Sequence, residues 1–265
     1  MEIPVETWYE AIFNRRSRRK YESTKLSEEK MERLASACRS FRPFPEVRAV
    51  LVREPDERIY RGFIGSYGKI ENAPHYIAFV GDMESPQVQE YIGYTGEAII
   101  LEATALGLGT CWVGGYFHPE NVIQQISIEQ NERILAITPV GIPRHSLTME
   151  EKLMIGVARL HKRKKLKELV SGTPDKDWML KALEAARIAP SAVNRQPWRF
   201  VIGDNSIAVR TDKNRDTDKI SRRLDCGIAM LHLELGARHA GTSGKWAFPD
   251  DCVARFEAES SPQTR

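Results

Sequence analysis

The 265-residue chain is poor in cysteine, with only Cys38, Cys111, Cys226 and Cys252, all far apart. No Cys-x-x-Cys pair and no histidine at zinc-ligand spacing accompanies them, which excludes a zinc module or disulfide framework and predicts free thiols in a reducing compartment. Excess charge is lacking too. Lys plus Arg at 39 against Asp plus Glu at 36 leaves a net +3, too little to mark a nucleic-acid binder by its overall field. The greasiest stretch, residues 99–116, is interrupted by Glu102 and several glycines, which argues against a membrane span. The first ten residues carry three acidic groups and no apolar segment of the kind a secretory signal needs, so a cytoplasmic location is expected. Neither a dinucleotide fingerprint nor a P-loop occurs, which disfavours NAD in a Rossmann crevice or an ATP site. His75, His118, His145, His161, His232 and His239 form no triad or metal spacing and are expected at the surface or in packing roles, and no metal is expected.

What remains is an ordinary soluble composition, 42% hydrophobic and 28% charged. The length allows one large domain or two small ones. Helical periodicity is clear over residues 27–40, 87–107, 174–188 and 218–240, with Ser27 as an N-cap, and a short helical segment holds Trp8, Ile12 and Phe13. Extended runs cover residues 47–52, 75–80, 134–140, 198–202 and 207–210, so the class is mixed α and β. Residues 27–52 and 174–202 share one plan: a helix ending in Leu-x-x-Ala, a proline-containing loop, then a strand. Leu34 to Ala37 aligns with Leu183 to Ala186, and Gly96-Glu97-Ala98 with Gly227-Ile228-Ala229. The offsets of these pairs differ, so an internal duplication would be diverged; two amphipathic helices with alanine-rich faces would give the same similarity.

Four segments could carry chemistry. Arg15-Arg16-Ser17-Arg18-Arg19-Lys20 sets five cations around a hydroxyl, a natural cradle for a phosphate, since charge-assisted bonds contribute about 1.5–3 kcal/mol each. A solvated basic turn or a nucleic-acid arm fits the same run. A second basic run spans residues 159–167, and a charged surface face would account for it. The loop Ala189-Pro190-Ser191-Ala192-Val193-Asn194-Arg195-Gln196-Pro197-Trp198 combines two prolines with hydrogen-bonding Ser191 and Asn194, as ligand-holding loops do, although a structural loop uses the same residues. Leu106 to Tyr116 turns through Gly114 and Gly115, where backbone amides can approach a flat ligand.

Together these segments resemble the FMN-dependent nitroreductase superfamily. The resemblance rests on the Arg-Arg-Ser-x-Arg start, the Ala-Pro-Ser-Ala-x-Asn-x-Gln-Pro-Trp-x-Phe loop, the Gly-Leu-Gly-Thr-x-Trp-x-Gly-Gly turn, Pro-Val-Gly-Ile-Pro at Pro139 to Pro143, and the Arg163-Lys164 pair. The order is unusual. Ordinary members place the Pro-Ser loop a few dozen residues after the Arg-Arg-Ser motif. Here residues 38–47 have lost it, and it follows the Arg-Lys pair instead.

Ordinary members are homodimers whose two FMN sites each take a phosphate clamp from one subunit and the Pro-Ser loop from the other. The resemblance therefore implies a single-chain pseudo-dimer of the α+β nitroreductase-like fold, with a central, mostly antiparallel sheet flanked by helices. Residues 1–170 would be the half with the phosphate clamp, 171–258 a shortened half with the flavin loop, and 259–265 a flexible tail. Arg15, Arg16, Ser17 and Arg19 would hold the FMN phosphate and ribityl chain with Arg163 and Lys164, although Lys165 stands where the family has proline. Pro190, Ser191 and Asn194 would contact the isoalloxazine, Gln196 would tie down the loop, and the Gly114 and Gly115 amides would face flavin N5.

The implied activity is hydride transfer from NAD(P)H through one FMN to a nitroaromatic, quinone or similar small acceptor, in ping-pong order, by a monomer that binds no nucleic acid and no membrane. No catalytic side chain is demanded. An FMN-binding storage or sensing protein, and a nucleic-acid binder using its basic patches, remain as alternatives.

Overall fold

The computed structural model describes residues 1–55, 57–60, 69–144, 162–212, 216 and 220–259. The expected start of the last helix at Asp218, most of the tail, His145, His161 and the beginning of the second basic run lie outside the described residues.

Helix α1 (Val5–Asn14) turns Trp8, Ala11 and Ile12 inward, the i, i+3, i+4 spacing of a one-sided helix. Helix α2 (Glu28–Ser40) begins where the Ser27 hydroxyl accepts the Lys30 amide at 3.4 Å. Strands β1 (Val47–Val52) and β2 (His75–Asp82), helix α3 (Val88–Ala105), strand β3 (Gly109–Thr110), helix α4 (Pro119–Ile123) and strand β4 (Glu132–Gly141) follow. Later come α5 (Leu166–Leu169), β5 (Val170–Ser171), α6 (Asp177–Arg187), β6 (Trp198–Gly203), β7 (Ser206–Thr211), α7 (Arg222–His239), β8 (Gly244–Ala247) and β9 (Ala254–Ala258).

These strands form two sheets. The first runs β1-β2-β4-β3 and is antiparallel throughout. The second runs β5-β6-β7-β9-β8 and is antiparallel except for the parallel β5–β6 edge. Without β5, both sheets have the same order, and each is built from helix, strand, strand, long helix, strand, strand, with the short helix α4 inserted between the last two strands of the first. One apolar core joins the halves, with Leu34, Ile77 and Phe79 from the first and Leu183, Phe200 and Leu231 from the second. The other face of the first sheet is covered by a separate cluster that includes Tyr76, Val80, Phe117 and Val122.

Helices α3 and α7 pack against each other and are buried almost all round, so neither has a clean polar face. Their crossing requires glycine. A β-carbon on Gly93 would lie 2.0 Å from the Leu224 carbonyl oxygen, and one on Gly227 would lie 2.0 Å from that of Glu90. The residue facing Gly227 is thus Gly93. Gly96 instead makes room for the Trp112 ring, which a β-carbon there would meet at 2.3 Å. Carboxylates buried on these helices are all engaged: Glu90 by Arg223, Glu102 by Trp8 and Arg33, and Glu234 by Tyr94, Trp246 and Arg238. Such pairing is what permits a charge in an apolar interior.

Candidate functional site

The first basic segment starts at the end of α1, where the Arg15 amide closes the helix on the Ala11 carbonyl at 2.8 Å and the chain becomes extended. Ser17 pairs in parallel with Thr110, and the Arg18 amide donates to the Thr110 carbonyl at 2.7 Å. The clamp is thereby laid beside β3, a few residues before the Gly114-Gly115 turn. Both glycines are half-buried, and neither amide donates to an acceptor among the described residues. A buried N–H without a partner is costly, so these two donors suit a ligand acceptor.

The proline-rich loop between α6 and β6 is held from two sides. Asp225, in the first turn of α7, accepts the Ala192 amide at 3.0 Å and Arg195 Nε at 2.5 Å, while Arg195 also donates to the carbonyls of Ile220 and Ser221. Ser191 Oγ accepts the Gln196 amide at 2.9 Å. From the other side, the irregular segment at Lys162 to Lys164 docks along the loop. Gln196 accepts the Lys164 amide at 2.8 Å and donates to the Lys162 carbonyl at 2.9 Å. Asn194 donates to that same carbonyl at 3.0 Å, and its side-chain oxygen accepts Arg163. The backbone is left-handed at Val193, Asn194 and Gln196, with φ of 48°, 55° and 48°.

The two halves meet here. Arg163 sits close enough to Arg15, Arg187 and Arg16 that their charges, after burial itself, push its guanidinium down to about 10. Burial also lowers Arg15, with Glu97 acting in the opposite sense. Gly114 packs on Ile220, which a β-carbon would meet at 3.1 Å, and Ile220 is in turn held by Arg195. Guanidiniums crowded in this way favour an anion, so the donor set fits a phosphate group.

Several expected residues are placed differently from the rest. Lys164 Nζ donates to the carbonyls of Arg195 and Gln196, both at 3.0 Å, and so fastens the loop. Pro190 is buried. Arg19 is held by its backbone, with its carbonyl accepting the Glu71 amide at 2.9 Å, and no hydrogen bond among the described residues joins its side chain to Arg163. Segment 162–171 leans on the second half, because Val170 and Ser171 pair with Phe200 and Val201.

Sequence reasoning missed Asp225, Glu97 and His232. Glu97 and His232 are buried and bonded at 3.0 Å although 135 residues apart, so no local spacing reveals them. His232 is therefore part of a polar pair in the interior, and His75 is buried as well.

Two largely antiparallel sheets flanked by helices, with Arg15, Arg16 and Arg163 brought close to one another, agree with a nitroreductase-like protein. The family described as "Putative TM nitroreductase" matches residues 7–237. The chain belongs to this nitroreductase family. A Thermotoga maritima protein described as a "putative nitroreductase" superposes with a TM-score of 0.60 at 21% identity, covering 94% of this chain and 93% of that one. A Bacteroides fragilis nitroreductase with bound FMN superposes over 54% of this chain and 91% of its own, at 18% identity and a TM-score of 0.43. In sequence, 94 residues are 32% identical to the Mycobacterium tuberculosis protein called "Putative NAD(P)H nitroreductase acg". That match spans 32% of this chain and 28% of the relative's length. No helix among the described residues is long and apolar enough to cross a membrane.

Proposed function

We propose that the chain is an FMN-dependent oxidoreductase that binds one FMN between its two halves and passes a hydride from NAD(P)H to a nitroaromatic, quinone or similar acceptor. The observation that carries this reading is the convergence of Arg15 and Arg16 from one half with Arg163 and the Asn194 loop docked on the other. Family membership and the name of the Mycobacterium relative support the redox class and the nicotinamide donor.

When bound, FMN supplies the hydride-accepting and hydride-donating centre, and the chain's residues orient it. Arg15, Arg16 and Arg163 neutralise the phosphate dianion, with Ser17 and Arg19 along the ribityl side. Lys164, Gln196 and Asp225 hold the loop from which Ser191 and Asn194 would contact the isoalloxazine, with the buried Pro190 stiffening it. The half-buried amides of Gly114 and Gly115 would supply hydrogen-bond donors to the flavin, and no acid or base side chain is required. The common element order of the two sheets supports a fused pseudo-dimer that completes its site as a monomer.

The test is the absorption spectrum of the purified chain, its flavin content per chain, and steady-state oxidation of NADH and NADPH with a nitroaromatic and a quinone. One FMN per chain with turnover is expected. A colourless protein that takes up no FMN overturns the reading, and a yellow protein inert with every acceptor overturns its catalytic half.

A further inference from the structure

Beneath the clamp lies a buried polar knot that crosses from one half to the other. Glu97 on α3 is fully buried, with Oε2 accepting Trp112 Nε1 at 2.7 Å. Its other oxygen, Oε1, is contested. His232 Nε2, from α7, lies 3.0 Å away, and Arg15 Nε lies 3.8 Å away. Only the histidine is within hydrogen-bond range.

The proton inventory follows from the far side of the imidazole. His232 Nδ1 is 3.1 Å from the Ala185 carbonyl oxygen, which can only accept, so Nδ1 carries a hydrogen. Nε2 then either donates to the Glu97 carboxylate as imidazolium or accepts a proton from Glu97 as neutral imidazole. In both cases one proton lies between Nε2 and Oε1, so the carboxyl oxygen nearest Arg15 already has a hydrogen-bond partner in His232.

We propose that His232 is a positioning residue that keeps Arg15 available to the phosphate by competing with it for the carboxylate oxygen that both approach. Arg15 is buried, and Glu97 is the only acidic side chain within 4 Å of its guanidinium among the described residues. Without His232, the guanidinium closes the gap to Oε1 and turns away from the pocket, because an uncompensated carboxylate in an apolar interior recruits the nearest cation. The knot thus links α7, which also anchors the loop through Asp225, to the clamp on the other half. This inference rests on the assignment of Arg15 to the phosphate clamp.

The experiment titrates apoprotein with FMN and, separately, follows thermal stabilisation by inorganic phosphate. His232→Leu is expected to weaken both by about tenfold, the equivalent of one charge-assisted bond. Adding Glu97→Gln to that variant restores affinity, because a neutral amide no longer captures Arg15, and His232→Gln retains it by presenting an N–H near the Nε2 position. Glu97→Gln alone leaves FMN affinity at the wild-type level; this variant keeps the test decisive if His232→Leu does not fold. Unchanged binding in folded His232→Leu, no rescue by Glu97→Gln, or a loss in Glu97→Gln alone overturns the proposal. Wild-type protein that responds to phosphate but not to FMN overturns the flavin reading and leaves this one standing, whereas response to neither overturns both.

Discussion

Asp225 Oδ2 accepts Arg195 Nε at 2.5 Å with both side chains almost wholly buried, joining the first turn of α7 to the loop that carries Asn194. Burial pushes the Asp225 carboxyl up to about 6, against the opposing pull of Arg195 and the Ala192 amide. A carboxyl that binds its proton more tightly when folded contributes stability that is fully present below its unfolded value, near 3.8, and is lost as pH rises through about 6. Asp225→Asn removes this titration. Urea unfolding of both proteins should therefore show wild type gaining about 2 kcal/mol relative to the variant between pH 7 and pH 4.5. A difference that does not vary with pH contradicts the assignment. At neutral pH the variant also leaves the Arg195 charge without its anion, and FMN affinity falls.

Val193 is a β-branched residue in the left-handed region, with φ 48° and ψ 23°, and its side chain is 39% exposed. The local strain for a residue of this kind costs about 1–3 kcal/mol, and an exposed valine recovers only part of it by packing. Asparagine tolerates this conformation, so Val193→Asn should stabilise the chain by about 1 kcal/mol in urea or thermal unfolding. Equal or lower stability would show that the strain is relieved in another way.

Much of the fold could be read locally. Strand β1 occupies the expected residues 47–52, Ser27 caps α2 as its side chain suggests, and the helices at α3 and α6 lie within the predicted runs. Strands β8 and β9 were not foreseen. Lys245, Arg255 and Glu257 break their apolar runs, and both are short strands at the side of the second sheet. The loop and clamp motifs were legible because they are contiguous, whereas Asp225, Glu97 and His232 act across the fold and carry no motif of their own. Nor could the Gly93 contact be read, since glycines at 93 and 96 look alike until α7 is laid across one of them.

That crossing makes a quantitative prediction about how the halves cohere. Alanine ordinarily gains about 1 kcal/mol over glycine in a helix interior. At Gly227 its methyl would overlap the Glu90 carbonyl, so α3 and α7 must separate, and overpacking of this kind costs about 1–3 kcal/mol beyond the helix gain. Gly227→Ala and Gly93→Ala should each lower the unfolding free energy and weaken FMN binding together, because the pocket uses residues on both sides of the crossing. Stability at or above wild type would mean that the helices part without cost.

Binding across the halves can be separated from binding within one by comparing distant substitutions. Ser17→Ala with Arg19→Ala removes donors from the first half, and Asn194→Ala removes the side chain that receives Arg163 in the loop. Each change should reduce FMN affinity by about tenfold or more, measured by fluorescence titration of apoprotein, since each removes hydrogen bonds to or around a charged group. Arg163→Ala and Asn194→Ala share one contact and should be less than additive, whereas the Ser17/Arg19 pair and Asn194 share no hydrogen bond and should add. If substitutions in only one half alter affinity, the flavin does not lie between the halves, and the shared cationic pocket serves another anion.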